Sequence, residues 1–356
     1  MRLGIFAPTL SGGWVISTSS PQFRPDWYLM QETARKAEYY GFDFLLAPNK
    51  YKGLDGETEF WNYALDSFTT MAALAAVTNK VQLIPSISLL SVPPVYAAKQ
   101  VKTIADIAGA DRFGVNIITG WEKPEWESQG LWPGDEYFSR RYDYAGEYMT
   151  IMQELWRTGV SDFDGEFFHL TDARLQPHFG DGPLPKIICA GQSDRGMRFT
   201  SEYADYQFMG GKLDPAELTV QMGRVKTASA AAGRPMEAFP LYQCVVRDSL
   251  EECEDVIGNW RDHQDLDAVT NMMGHAAMNT SSEDLNSLHA TLMGTDNFML
   301  WEIIKGDPKS VAEQIRAIAD VDGVSGVMFT FQDYLVDIDR FGREVMPLLD
   351  ADQLAA

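Results

Sequence analysis

Short apolar runs alternate with longer amphipathic ones along most of the chain. Arg2 to Ala7 has the make-up of a strand, and Trp27 to Tyr40 repeats its apolar residues at helical spacing. Phe42 to Ala47 predicts a second strand and Ser67 to Thr78 an Ala-rich helix. Val81 to Leu90 predicts a third strand and Val95 to Ile107 a third helix, with Pro93-Pro94 suited to its start. Phe113 to Ile118 reads as a fourth strand, and Pro185 to Gly191 as a fifth, ahead of a helix near Gly196 to Tyr203. Tyr206 to Met209, Leu241 to Val246 and Gly323 to Phe331 bring the strands to eight, and Phe341 to Leu349 predicts a terminal helix. Most of these runs are apolar throughout, as parallel strands covered on both faces should be.

Repeated strand–helix units imply a parallel sheet with right-handed crossovers, and eight of them favour a closed (β/α)8 TIM barrel over an open doubly wound sheet. No G-x-G-x-x-G follows the first strand, which removes the best cue for a dinucleotide-binding domain. Residues 1–356 read as one α/β domain with insertions near 121–183 and 263–302, where the alternation lapses. Loops after the strands carry the chemistry in such a barrel, so the segment after the fourth strand is the first place to look.

Charge narrows the function. The formal net charge is −22, which opposes any broad phosphate-binding surface and any docking on anionic membranes. No apolar run approaches the roughly 20 residues that span a bilayer, and the first residues read as a strand rather than a cleavable signal. The three cysteines are scattered, so neither a disulfide framework nor a C-x-x-C site is expected. A soluble, cytoplasmic protein with a small-molecule partner is the expectation, with a homo-oligomer left open.

Candidate chemistry is sparse. The five histidines (His169, His178, His263, His275, His289) lack metal-ligand spacing, so no metal site is expected. Asp111, Glu122, Glu125, Glu127 and Asp135 offer carboxylates, with a solvated surface as the plainer reading of each. No G-x-S-x-G elbow is present. Three constellations remain. Ser193 sits between a strand and a helix with glycines on both sides, which suits either an anion site or a plain N-cap. Arg140 or Arg141, beside Tyr142 on a helix, suits a phosphate or flavin edge, or a solvated face with Arg–Asp pairs. Asn116 interrupts an apolar strand, and a buried amide there either braces the barrel or meets a ligand.

These segments, with Gly13 to Thr18, Thr58 to Trp61, Arg112 to Trp121, Trp132 to Asp135, Tyr137 to Tyr144 and Ile188 to Ser193, resemble the bacterial luciferase-like superfamily of flavin-dependent monooxygenases. Within it the likeness is to the pyrimidine monooxygenases of uracil catabolism. It runs from Gly4 to about Gly210, weakens between Lys212 and Asn297, and returns over Asp322 to Leu348. The resemblance implies reduced FMN and O2 as cofactor and cosubstrate, a small heteroaromatic substrate, and a separate NAD(P)H-dependent flavin reductase. It implies Asn49, Lys50, Asn116, Glu125, Arg141, Tyr142 and Ser193 as cofactor contacts, and identifies no protein general base. A riboflavin-degrading relative and a strict uracil or thymine enzyme are alternatives. So, from other classes, are a deazaflavin-dependent hydride-transfer enzyme and a non-catalytic flavin-binding relative.

The chain departs from the pyrimidine enzymes at Pro48-Asn49-Lys50, where they carry Met-Ile-Lys, and at Ser86 to Ser91, where they are Thr-rich. A pocket built to bond one polar ring rejects others by leaving polar groups unpaired. These changes predict weakened recognition of uracil and admission of a bulkier heteroaromatic. In steady-state assays with reduced FMN, uracil should give kcat/KM below about 10⁴ M⁻¹s⁻¹, the low end for enzymes on their own substrates.

Overall fold

All eight expected strands are present in the computed structural model, which describes residues 1–120, 122–277 and 301–351. They are β1 (Arg2–Phe6), β2 (Phe44–Ala47), β3 (Gln82–Ser88), β4 (Gly114–Ile118), β5 (Lys186–Cys189), β6 (Tyr206–Gly210), β7 (Glu237–Val246) and β8 (Gly326–Thr330). Each pairs in parallel with the next, and β8 returns to β1, so the sheet closes into a barrel. Trp121 and residues 278–300, the greater part of the expected second insertion, lie outside the described residues.

The helices are α1 (Trp27–Tyr40), α2 (Ser67–Ala75), α3 (Pro94–Ala108), α4 (Lys123–Glu127), α5 (Glu136–Thr158), α6 (Asp194–Tyr203), α7 (Pro215–Ala232), α8 (Leu250–Asp262), α9 (Leu266–Ala277), α10 (Pro308–Ala319), α11 (Tyr334–Glu344) and α12 (Met346–Ala351). Residues 121–183 hold α4, α5 and a two-stranded antiparallel pair, with α5 packed between α3 and α6. Period-2 alternation divides the strands cleanly. Phe6, Phe44, Leu46, Ile84, Ile188, Phe208, Phe239, Leu241 and Met328 fill the barrel interior, while their neighbours pack under the helices. Arg2 plugs the N-terminal end, its guanidinium 5.3 Å from the Phe44 ring and 5.5 Å from Phe239, and Nη2 donates to Gln82 Oε1 at 2.6 Å.

Two elements differ from expectation. β7 begins at Glu237 rather than Leu241, because Glu237 and Pro240 break the apolar run although Pro240 still aligns with Met209 of β6. The single terminal helix is instead α11 and α12, parted at Val345. Pro347 has no N–H to continue the ladder from α11, so the chain restarts its helix there. A short strand, Ile303–Gly306, also pairs with the upper half of β7, beyond the point where β6 ends.

The C-terminal mouth of the barrel is roofed by α9. Ala268, Val269 and Met272 pack with Leu10, Trp14, Phe60 and Trp61 from the loops after β1 and β2. Asp265, buried just ahead of α9, fastens this roof. Its carboxylate accepts from Thr58 N at 2.7 Å, Thr58 Oγ1 at 2.6 Å and Ala268 N at 3.1 Å. Burial pushes its pKa up, but these hydrogen bonds outweigh burial and hold it below the ordinary 3.8. A carboxyl depressed in the folded state stabilises fully above its unfolded pKa and loses that contribution as pH falls through the folded value. Asp265→Asn should therefore cost roughly 2 kcal/mol in urea melts at pH 7. The gap between variant and wild type should close in melts taken at progressively lower pH, below 3.8.

Candidate active site

Chain direction decides where the polar side chains meet. The loops after β2 and β4 both leave the C-terminal end of the barrel, and they join in a buried ionic cluster. Lys50 Nζ bonds Glu122 Oε2 and lies 3.3 Å from Glu125 Oε2. All three residues are buried, Glu122 to 1% exposure. Tyr51 N donates to Glu125 Oε1 at 2.7 Å, and Asn49 Nδ2 donates to Tyr51 Oη at 3.1 Å. His275, near the end of α9, brings Nδ1 to 3.9 Å from Glu122 Oε2. Burial pushes the Glu122 carboxyl up, but the Lys50 charge prevails and holds it below the ordinary range. For Glu125 burial prevails over Lys50, with Glu122 adding to it, and its carboxyl lies above the ordinary range. Two carboxylates sharing one ammonium thus divide into a charged member and one more readily protonated.

Asn116 stands on the inner face of β4, level with Ser86 of β3 and Ile188 of β5. Its Nδ2 donates to Ser86 Oγ at 2.9 Å, and Ser86 Oγ donates to Ala47 O at 2.7 Å. Asn116 is 2% exposed, yet Oδ1 has no hydrogen-bond partner among the described residues. One end of the amide braces the barrel and the other is left for something else.

The third group gathers where α5 meets α6. Ser193 caps α6, its Oγ accepting from Gly196 N at 3.2 Å. The Tyr142 hydroxyl from α5 lies against this turn, so closely that a Cβ at Gly191 would fall 2.9 Å from it and one at Gly196 2.5 Å. Arg141 is buried, donates from Nη1 to Phe138 O at 2.6 Å and lies 4.7 Å from the Tyr142 ring. Ser193 and the Tyr142 hydroxyl thus meet at the start of α6, with Arg141 beside Tyr142 on α5.

Residues 1–324 match the family described as luciferase-like monooxygenase. The chain belongs to the luciferase-like monooxygenases. It is 40% identical over 353 residues to the pyrimidine monooxygenase RutA of Enterobacter cloacae subsp. cloacae, covering 98% of this chain and 96% of that protein. It is 39% identical over 353 residues to the pyrimidine monooxygenase RutA of Escherichia coli O44:H18, with 98% and 96% covered. In fold it matches riboflavin lyase RcaE with a TM-score of 0.85 at 18% identity, over 100% of this chain and 92% of that one. DmoA from Hyphomicrobium sulfonivorans gives 0.83 at 18% identity, over 99% and 88%.

A luciferase-like monooxygenase works with a flavin and O2, and the residues present fit such a group. The partnerless Asn116 Oδ1 is a feature that a polar ring would fill, and the glycine turn already takes the Tyr142 hydroxyl. Facing them across the mouth is an aromatic wall. Phe6 lies 4.6 Å from Trp14 and 5.2 Å from Phe208, and Trp14 lies 4.9 Å from Trp61 and 5.6 Å from Trp301 between ring centroids. Trp61 and Glu59 hold left-handed φ values of 61° and 47°, and Trp61 Nε1 donates to Gly13 O at 2.8 Å. The bonds of Thr58 to Asp265 and of Trp61 to Gly13 hold this motif against the roof. No group of three His, Cys, Asp or Glu among the described residues is arranged to hold a metal ion.

Glu122 stands in the sequence as one of five equivalent carboxylates, and His275 as one of five uninformative histidines. Only the fold sets them beside Lys50. Nothing in their spacing marks them out, because one lies after β4 and the other 153 positions later in α9. Removing the ammonium should expose the cost of this cluster. Lys50→Met leaves two buried carboxylates without a counter-charge, at a cost of about 3–5 kcal/mol at neutral pH. Their folded pKa values would then rise above the unfolded ones, so stability should recover as pH falls from 7 to 5. Urea melts at the two pH values check the direction.

Proposed function

We propose that this luciferase-like monooxygenase uses reduced FMN and O2 to oxidise a heteroaromatic substrate of pyrimidine or larger fused-ring type, opening a C–N bond. A separate NAD(P)H-dependent flavin reductase supplies the reduced FMN. The observation that carries this reading is Asn116. A nearly fully buried amide keeps one oxygen without a partner at the barrel mouth, in a chain 40% identical to a pyrimidine monooxygenase.

In this reading Ser193, the start of α6, Tyr142 and Arg141 hold the FMN phosphate, as helix N-termini hold anions. Asn49, Lys50, Asn116 and Glu125 flank the ring system. Lys50, paired with Glu122 and Glu125, is the basic group placed where the ring gathers electron density. The wall of Phe6, Trp14, Trp61 and Phe208 keeps water from the reacting faces, with α9 above. The bound reduced flavin supplies the electrons and activates O2. With two electrons from that group, one oxygen atom would go to the product and the other to water.

Ser193→Ala and Arg141→Ala should each weaken FMN binding by roughly 1.5–3 kcal/mol, the worth of a charge-assisted contact. Fluorescence titration of FMN measures this directly, and unchanged affinity in both variants would reject the phosphate assignment. Under ¹⁸O₂, with reduced FMN and a screen of pyrimidine and fused-ring heterocycles, mass spectrometry should find one labelled oxygen in the product. Flavin oxidation with no labelled product from any of them would sink the oxygenase reading.

A further inference from the structure

The groups proposed to hold FMN lie on one side of the barrel, in β4, α5 and the loops after β2, β4 and β5. The opposite side, formed by β6, β7, β8 and β1, has an interior that is apolar except at its upper rim. There β7 places Gln243 and β8 places Thr330, aligned residue to residue. Leu241 and Met328, two positions earlier on the same strands, belong to the interior cluster, so alternation turns Gln243 and Thr330 inward as well. Phe6 of β1 follows Ile5, which aligns with Phe329, so this pair stands beside the aromatic wall. Both residues have no exposed surface.

Thr330 Oγ1 donates to Gln243 Oε1 at 2.6 Å. In this arrangement the amide oxygen is the end that meets Thr330. Gln243 Nε2 is left with two N–H donors, buried and without a partner among the described residues. A buried donor left unmade costs about 1–3 kcal/mol, whereas an apolar side chain of the same shape would cost nothing of the kind. A residue serving only to pack the barrel would not keep that penalty. A residue that meets a ligand recovers it on binding.

Resting on the function proposed above, we infer that the Gln243 amide is a substrate-recognition group, donating a hydrogen bond to a carbonyl oxygen on the heterocycle. Thr330 is its positioning residue, acting through the amide oxygen. Substrate is then held between the FMN side of the mouth and the β7–β8 side, with its carbonyl toward Gln243 and its apolar edges against Phe6 and Phe208. Rings that lack a carbonyl gain nothing from Gln243 and leave its donors unpaired.

The test pairs ring systems with and without carbonyls. Uracil with pyrimidine, and lumazine with pteridine, cover one-ring and two-ring sizes. Binding of each to the FMN-loaded enzyme is read from the perturbation of the flavin absorbance. Wild type should prefer the carbonyl-bearing member of at least one pair. Gln243→Met should erase about tenfold of that preference, the factor set by 1.4 kcal/mol. Affinity for the carbonyl-free member, the Kd for FMN and the melting temperature should stay near wild type. Thr330→Val leaves position 243 intact but frees the amide to rotate, and should lose part of the same preference. It decides the matter if the Met variant does not fold. Unchanged preference in the folded variants, with a fall in melting temperature, would make Gln243 a brace and overturn the inference. So would the absence of any carbonyl preference in wild type. Failure of wild type to bind FMN at all appears before any probe is added, and that outcome instead rejects the function on which the inference rests.

Discussion

The ladder between Tyr206–Gly210 and Glu237–Leu241 is the pairing on which everything else rests, because it joins β6 to β7 and leaves the main sheet without a free gap. A parallel barrel sends all its strand ends to one rim, and there the loops after β1, β2 and β4 are forced together. The interior is filled by large side chains such as Phe44, Phe239 and Ile84, so no channel remains below the rim. Apart from the Arg2–Gln82 pair at the N-terminal end, inward polar groups sit towards the top. Asn116, Ser86, Gln243 and Thr330 are the consequence.

Burial at that rim raises the stakes for charge. A chain with a net charge of −22 keeps Lys50 and Arg141, two basic side chains of the candidate site, almost wholly out of solvent. Each is held by acceptors on its own side, Lys50 by Glu122 and Glu125 and Arg141 by the Phe138 carbonyl. Desolvated cations attract an anionic cofactor more strongly than surface ones, since water screens them less. Burial, with Glu122 adding to it, leaves the Glu125 carboxyl readier to take a proton than Glu122.

The roof links these features to the rest of the chain. Asp265 ties the start of α9 to Thr58, and His275 brings its far end to Glu122. One helix thus touches the strained Thr58–Trp61 loop and the ionic cluster together. Any change in the position of α9 is felt both by the aromatic wall and by Lys50, because Val269 and Met272 pack in the same cluster as Trp14 and Trp61.

By itself the sequence determined the elements whose signal is local. The eight apolar runs became the eight strands, and Trp27–Tyr40 is a helix with the boundaries that its periodicity sets. Asp26 and Gly41, a capping acid and a left-handed glycine, mark those ends plainly in the chain. The family was readable from its motifs, which hold Asn116 of β4, Tyr142 of α5 and Ser193 at the start of α6. Where the local signal was broken, the reading failed. The first four residues of β7, Glu237 to Pro240, hid behind the proline, and the turn at Val345 hid within an amphipathic run. What only the tertiary structure decided is which side chains face one another across long separations. Lys50 meets Glu122 at a separation of 72 residues, Thr58 meets Asp265 at 207, and Gln243 meets Thr330 at 87. Such pairings follow from barrel closure and strand register, and no spacing along the chain encodes them. A buried donor or acceptor declares its lack of a partner only once the fold has removed it from water.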